Sequence, residues 1–409
     1  MLYNAYEIQR SMLAGASAMA NFGAGLLNNP ANPFAYFGGG PVLGSALEVF
    51  AHASAPRGKP AFGLDHTIID GKDVAVREEI VLRKDFGQLK RFVREGVTGG
   101  PKLLIVAPMS GHYATLLRGT VERMLPTADV YITDWRDARQ VPLSAGRFDL
   151  DDYIDYIVEF LGHIGEGKER PHVLAVCQPS VPVYAAVALM SADKNPCRPA
   201  TLTMMGGPID TREAPTAVNT LATERPKSWF ENNVIATIPM SYPGAGRRVY
   251  PGFLQLAGFM TMNLGNHMVS HFEIFKHLVK GDGDSAESTM GFYEEYRSVC
   301  DMTAEFYLQT IETVFQTHAL PKGEMTHRGR PVDPAAITDI ALLAIEGEKD
   351  DISGLGQTKA ALTLATKLPE SMKRYLMAED VGHYGIFNGS KWRTRIAPVV
   401  EQWMAAHTA

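Results

Sequence analysis

Short runs of consecutive apolar residues alternate along this chain with longer stretches in which apolar positions recur every three or four residues. The first kind of run reads as a buried strand, the second as a helix with one face on a core. Residues 74–82 predict a strand, and Leu103-Leu104-Ile105-Val106-Ala107 a fully buried one. Helices are expected over 113–125, 150–163 and 181–190, and strands over 130–133, 173–176 and 201–205. The alternation then stops for residues 209–339. There Pro239, Pro243 and Pro251 punctuate amphipathic stretches such as 267–280, where Met268, Phe272, Phe275 and Val279 share a face. It resumes with strand 340–345, helix 355–368, strand 374–378 and a terminal helix at 392–406. Strands separated by helices imply crossover connections, hence a mostly parallel sheet covered by helices on both faces. The interruption predicts a helical cap inserted between two parts of one core, 74–208 and 340–409.

Residues 1–73 stand apart, and their first sixty are rich in Ala, Gly, Asn and Phe and poor in charge. A helix is expected around 6–13, with breakers at Asn28-Asn29-Pro30-Ala31-Asn32-Pro33 and at Gly38-Gly39-Gly40-Pro41. The ordinary reading is an arm packed on the core. The sharper one is an apolar surface that meets a polymer or a granule.

Composition narrows the picture. The 409 residues are 45% hydrophobic and 21% charged, with a net charge of −6 and no long basic run, which argues against nucleic-acid binding. No run of apolar residues is long enough to span a bilayer, and the first residues do not read as a secretory signal. Cys177, Cys197 and Cys300 make an odd set, read as reduced thiols of a cytoplasmic protein. No Cys/His spacing suits zinc. Gly281-Asp282-Gly283-Asp284 lacks the later ligands of a calcium loop, and Gly38-Gly39-Gly40 lacks the Lys of a phosphate loop. No metal or cofactor is expected.

The candidate chemistry lies at the ends of the predicted strands. In His172-Val173-Leu174-Ala175-Val176-Cys177-Gln178-Pro179-Ser180 a strand runs straight into a cysteine, and a helix follows at once. An α/β-hydrolase presents its nucleophile on such a strand-to-helix turn, followed in the chain by an acid and then a histidine. Asp350 follows the strand at 340–345, with Asp351 a competitor that could instead cap the next helix. His383 lies between Gly382 and Gly385 after the last expected strand, in a loop able to carry a general base. The backbone N–H of Gln178 and a second N–H from Met109 or Ser110 would receive the oxyanion. Ala175 and Pro179 stand where such turns usually carry glycine. His112 is read as a pocket wall or helix start. Asp134-Trp135-Arg136-Asp137 is read as a salt-paired structural turn.

At these residues the sequence resembles the intracellular polyhydroxyalkanoate (polyhydroxybutyrate) depolymerases. The likeness is carried by Pro108-Met109-Ser110-Gly111-His112-Tyr113-Ala114-Thr115-Leu116-Leu117-Arg118, by Val130-Tyr131-Ile132-Thr133-Asp134-Trp135-Arg136-Asp137-Ala138-Arg139, by Val176-Cys177-Gln178-Pro179 and by Gly382-His383-Tyr384-Gly385. The resemblance implies an α/β-hydrolase with Cys177 as nucleophile, His383 as base and Asp350 as acid. It implies cleavage of 3-hydroxyacyl ester bonds in stored polyester, hence polymer or oligomers as substrate and a granule surface as partner. Water or the thiol of coenzyme A remains open as acyl acceptor. A polyester synthase and a catalytically silent granule-binding protein are the alternatives.

Overall fold

The computed structural model describes residues 2–29, 31, 40–55, 58–166, 169–262, 295 and 298–408. The stretch 267–280, the aromatic group Phe292, Tyr293 and Tyr296, and Gly281–Asp284 lie outside the described residues, as do Pro30, Asn32, Pro33, Gly38 and Gly39 of the two expected breakers. The chain opens with two helices packed together, α1 (Leu2–Asn28) and α2 (Gly40–Ser54). The expected helix at 6–13 is thus one part of a much longer one. Tyr6 stacks on Phe253 with ring centroids 3.9 Å apart, and Tyr3 donates a 2.6 Å hydrogen bond to Asp301.

The strands follow in chain order: β1 (His66–Ile69), β2 (Lys72–Arg83), β3 (Gly87–Arg94), β4 (Lys102–Val106), β5 (Asp129–Trp135), β6 (His172–Val176) and β7 (Thr201–Met205). Next come five short ones, β8 (Ala236–Thr237), β9 (Arg248–Tyr250), β10 (Met302–Thr303), β11 (Thr326–His327) and β12 (Arg330–Pro331), then β13 (Ala341–Gly347) and β14 (Lys373–Ala378). Among the described residues nine strands form one sheet in the order β1-β2-β3-β5-β4-β6-β7-β13-β14. Every pairing from β5 through β14 is parallel. β1, β2 and β3 add an antiparallel edge. The sheet therefore begins at His66, earlier than expected from the pattern.

The central strands β6, β7 and β13 are buried at every position, because helices cover both faces. The helices after α2 include α3 (Arg118–Met124), α4 (Leu150–Ile164) and α5 (Ser180–Ala192). α4 begins with a capping box in which Asp149 and Asp152 exchange side-chain and backbone hydrogen bonds. Its buried face carries Tyr153, Ile157, Phe160, Leu161 and Ile164. α5 is buried from Ser180 through Met190, the position of a helix lying against the sheet's middle and under other elements.

Two expected helices differ. The one expected at 113–125 opens as a tight 3-10 turn, Ala114–Leu117, before α3. The one expected at 355–368 is helical only over Ala360–Leu364. The cause is Glu346, fully buried on β13, whose carboxylate accepts the backbone N–H groups of Gly356, Thr358 and Lys359 at 2.7–2.9 Å. Those amides serve a buried charge, so the chain coils around it before the helix starts. At the C-terminus a π-helical turn, Trp392–Ile396, precedes the helix Ala397–Ala406.

Between β7 and β13 the described residues form α6 (Ala217–Glu224), α7 (Lys227–Asn233), α8 (Gly252–Met262) and the helix Ala304–Thr310. They also form a small antiparallel sheet, β10-β9-β8. No helix of the described residues is long and apolar enough to cross a membrane.

Candidate active site

Between the end of β6 and the start of α5 three residues reverse the chain. Cys177 has φ +68°, a left-handed conformation that is rare outside glycine and costs on the order of 1 kcal/mol or more. Its N–H donates to Met205 O at 2.7 Å, and its carbonyl accepts Ser180 N–H at 3.0 Å. Pro179 lies just ahead of α5 with φ −56°, and lacks only an N–H that would have no helical partner. The glycines this turn needs sit opposite it, at the end of β7. A Cβ on Gly207 would lie 2.0 Å from Ser180 Oγ and 3.1 Å from Cys177 O. Gly207 thus leaves the space that the Cys177–Ser180 turn occupies. The Gly206-Gly207 pair was visible in the sequence, but its role depends on the β6–β7 pairing.

The other two groups come from the next strands along the same sheet edge. Asp350 lies three residues beyond β13 and His383 five beyond β14. His383 Nδ1 is 2.7 Å from Asp350 Oδ2. Asp350 Oδ1 accepts the N–H groups of Ile352 at 2.9 Å and Ser353 at 2.8 Å. Asp351 is exposed and starts no helix. Burial alone would lower the His383 pKa. The charges of Cys177 and Asp350 and hydrogen bonding to both outweigh it, and hold the imidazole well above its ordinary value. Gly206 makes room here too: its φ is +58°, and a Cβ would sit 3.1 Å from His383 Cε1 and 2.7 Å from Ile386 Cδ1.

The loop after β4 closes the other side. Met109 N–H donates to Gln178 Oε1 at 3.2 Å. Gly111, at φ +93°, leaves Gln255 of α8 in contact, since a Cβ there would approach its amide to 2.7 Å. His112 is buried and bridges to Val299. Asp134 is fully buried and ion-paired to Lys59 at 2.6 Å, and Asp137 pairs with Arg139 at 2.5 Å.

Cys177, Gln178, Met109 and Ser110 open onto one cavity of about 570 Å³. Its walls are apolar and come largely from residues between β7 and β13, among them Leu221, Phe230, Tyr250, Phe306 and Tyr307. Tyr250, Gln255 and Thr310 carried no signal in the sequence that marks them as lining. No cluster of His, Cys, Asp and Glu among the described residues is able to hold a metal ion.

The fold is that of an α/β-hydrolase: a mostly parallel sheet, helices on both faces, and candidate groups on the loops that follow the parallel strands. Residues 206–408, about half of the chain, match the family model described as the PHB de-polymerase C-terminus. The chain belongs to the polyhydroxybutyrate depolymerase family and is a carboxylic ester hydrolase of that type. Solved structures similar to it include a thermophilic esterase from Thermogutta terrifontis, at 14% identity and TM-score 0.42, covering 84% of this chain and 98% of that one. Another is a 2-hydroxy-6-oxo-6-phenylhexa-2,4-dienoate hydrolase from a Rhodococcus species, at 12% identity and TM-score 0.42, covering 81% of this chain and 99% of that one. Likenesses so distant carry nothing about substrate. No curated protein matches the chain in sequence.

Proposed function

We propose that the protein hydrolyses poly(3-hydroxybutyrate) or its oligomers through a Cys177-His383-Asp350 triad and an acyl-thioester. The observation that carries this reading is the His383–Asp350 contact of 2.7 Å, set beside a nucleophile turn at the floor of an apolar cavity. His383 removes the thiol proton, and Cys177 Sγ bonds to the ester carbonyl carbon. The carbonyl electrons move to oxygen, where the N–H of Gln178 and one from the 109–110 loop receive them. Met109 N–H is engaged by Gln178, which favours Ser110 N–H over it as the donor. Collapse breaks the C–O bond, and His383 returns the proton to the departing alcohol. Water, deprotonated by His383, then attacks the thioester and releases a 3-hydroxy acid, while the thiol is restored. The thiol of coenzyme A is the competing acceptor.

In this reading residues 209–339 act as a cap whose apolar side receives the polymer and excludes bulk water. The protein works in the cytoplasm on the surface of storage granules. The test is incubation with amorphous poly(3-hydroxybutyrate) granules and assay of released acid. Cys177→Ala should abolish release while circular dichroism and melting temperature are kept. Near-parental turnover in that variant would remove the triad from the account. Product that appears as acyl-coenzyme A only when coenzyme A is added would replace water as the acceptor.

A further inference from the structure

The cavity over Cys177 holds polar atoms that nothing satisfies. Gln178 Nε2, Gln255 Nε2 and Thr310 Oγ1 are all buried with no hydrogen-bond partner among the described residues, and all three residues line the cavity. A buried polar group left unpaired is costly, so two amides and a hydroxyl in one apolar cavity call for an explanation outside the folded chain itself. The orientation of Gln178 is set by chemistry. Its Oε1 accepts Met109 N–H, which leaves its NH2 group turned the other way. Gln255 is only 6% exposed and rests against Gly111, two residues from Met109 in the same loop. Two side-chain amides thus brace the oxyanion loop from two elements, α5's leading turn and α8, each with a free N–H donor.

We propose that Gln255, together with Gln178, reads ester carbonyls of the bound chain next to the one under attack. Gln255 is then a specificity-determining residue. The inference rests on the polyester reading of the site and deepens it. A polyester backbone offers carbonyl and ether oxygens as acceptors and no donor along its length. A site for it therefore needs apolar walls to take the methylene and methyl groups and a few donors that lack partners of their own. An amide NH2 meets that need. It carries no charge to desolvate when the cavity is empty, and it gains a hydrogen bond when an ester arrives. A hydrocarbon ester of equal length fills the same walls and leaves the amides unpaired, so the site discriminates against it.

The experiment compares kcat/KM for the methyl ester of a 3-hydroxybutyrate trimer with that for methyl esters of fatty acids of matched length. The parent protein should prefer the trimer by about tenfold or more. Gln255→Leu and Gln255→Met, which keep the volume and remove the donor, should each reduce that ratio at least fivefold, chiefly through KM. Because the readout is a ratio within one preparation, partial misfolding of a variant cancels. A parent preference of less than twofold, or a ratio unmoved in both variants, overturns the inference. Those results leave the depolymerase reading standing so long as the parent hydrolyses the trimer. A parent that hydrolyses neither ester overturns the depolymerase reading and this inference with it.

Discussion

At the scale of single residues the site turns on which carboxylate faces His383. Asp350 has one oxygen on the imidazole and the other on two backbone N–H groups, so its orientation is fixed, whereas Asp351 is exposed beside it. Asp350→Asn should lower kcat by roughly 10³–10⁴, the loss expected when a triad acid no longer holds the tautomer, and Asp351→Asn should stay within about threefold. Steady-state rates on a soluble oligomer decide it, and exchanged effects would reassign the acid. Gly206→Ala is the matching steric test. Its Cβ would crowd His383 and Ile386 in a left-handed conformation, so the change should cost about 1–3 kcal/mol of stability and a larger share of kcat than of KM. The three candidate groups were legible in the sequence because each follows an apolar strand, and their order along the chain is informative. The roles of Gly206 and Gly207 were not, since they depend on a neighbouring strand rather than on the turn itself. Nor was the Gln178 contact to Met109, which joins residues far apart in sequence.

At the scale of elements, the parallel strands were readable because burial on both faces removes polar residues from them. β4, β6 and β13 are nearly unbroken apolar runs, and β7 carries only threonines among its apolar residues. β3 was not, because Gly87-Gln88-Leu89-Lys90-Arg91-Phe92-Val93-Arg94 places charges between its buried positions. Glu346 is the element-scale exception, a carboxylate inside a buried strand that reorganises a segment ten residues away. Glu346→Gln keeps the shape but offers one acceptor oxygen where the carboxylate serves Gly356, Thr358, Lys359 and Tyr375. It should lower unfolding free energy by about 2–4 kcal/mol, read as a shift in urea midpoint at constant slope. His172 at the head of β6 gives a pH signature. Burial first, then the neighbouring His407 and Arg170, push its pKa down to about 4. Between pH 6.5 and about 4 the unfolded chain binds the proton and the folded one does not, so stability falls as pH falls through that window. The loss is on the order of 3 kcal/mol. His172→Gln should flatten this part of the stability profile, and a profile identical to the parent's would exclude His172 as the source.

At the scale of the whole molecule, one buried charge cluster joins three parts of the chain that the apolar pattern treats as separate. Arg139, in the loop after β5, donates to Asp137 at 2.5 and 2.8 Å and lies 4.0 Å from Asp301. Asp301, just before β10, accepts Tyr3 O–H of α1 at 2.6 Å and Gly252 N–H at the start of α8 at 2.9 Å. Tyr113 O–H donates to Asp137 at 3.2 Å. The N-terminal arm, the sheet and the segment that lines the cavity therefore meet at one guanidinium. Only the salt pairing of Asp137 was legible; its partner Arg139, and Asp301, look like ordinary surface charges in the sequence, and only the fold brings them together. Burial pushes the Asp301 carboxyl up to about 6, the charge of Asp137 adds to the rise, and Arg139 opposes it. Arg139→Met removes that opposition and leaves two buried carboxylates facing each other. It should cost about 3–5 kcal/mol near pH 8, the range for breaking a buried pair by deleting one partner. The sign of its pH dependence follows from linkage. With the folded-state pKa raised above the unfolded value, the folded protein binds more protons across the window between them, so its stability rises as pH falls. The deficit of Arg139→Met relative to the parent should therefore shrink on moving from pH 8 to pH 5. Thermal unfolding of both proteins across that range measures it. A deficit that stays constant or grows on acidification would mean that Arg139 acts through packing rather than by holding the two carboxylates.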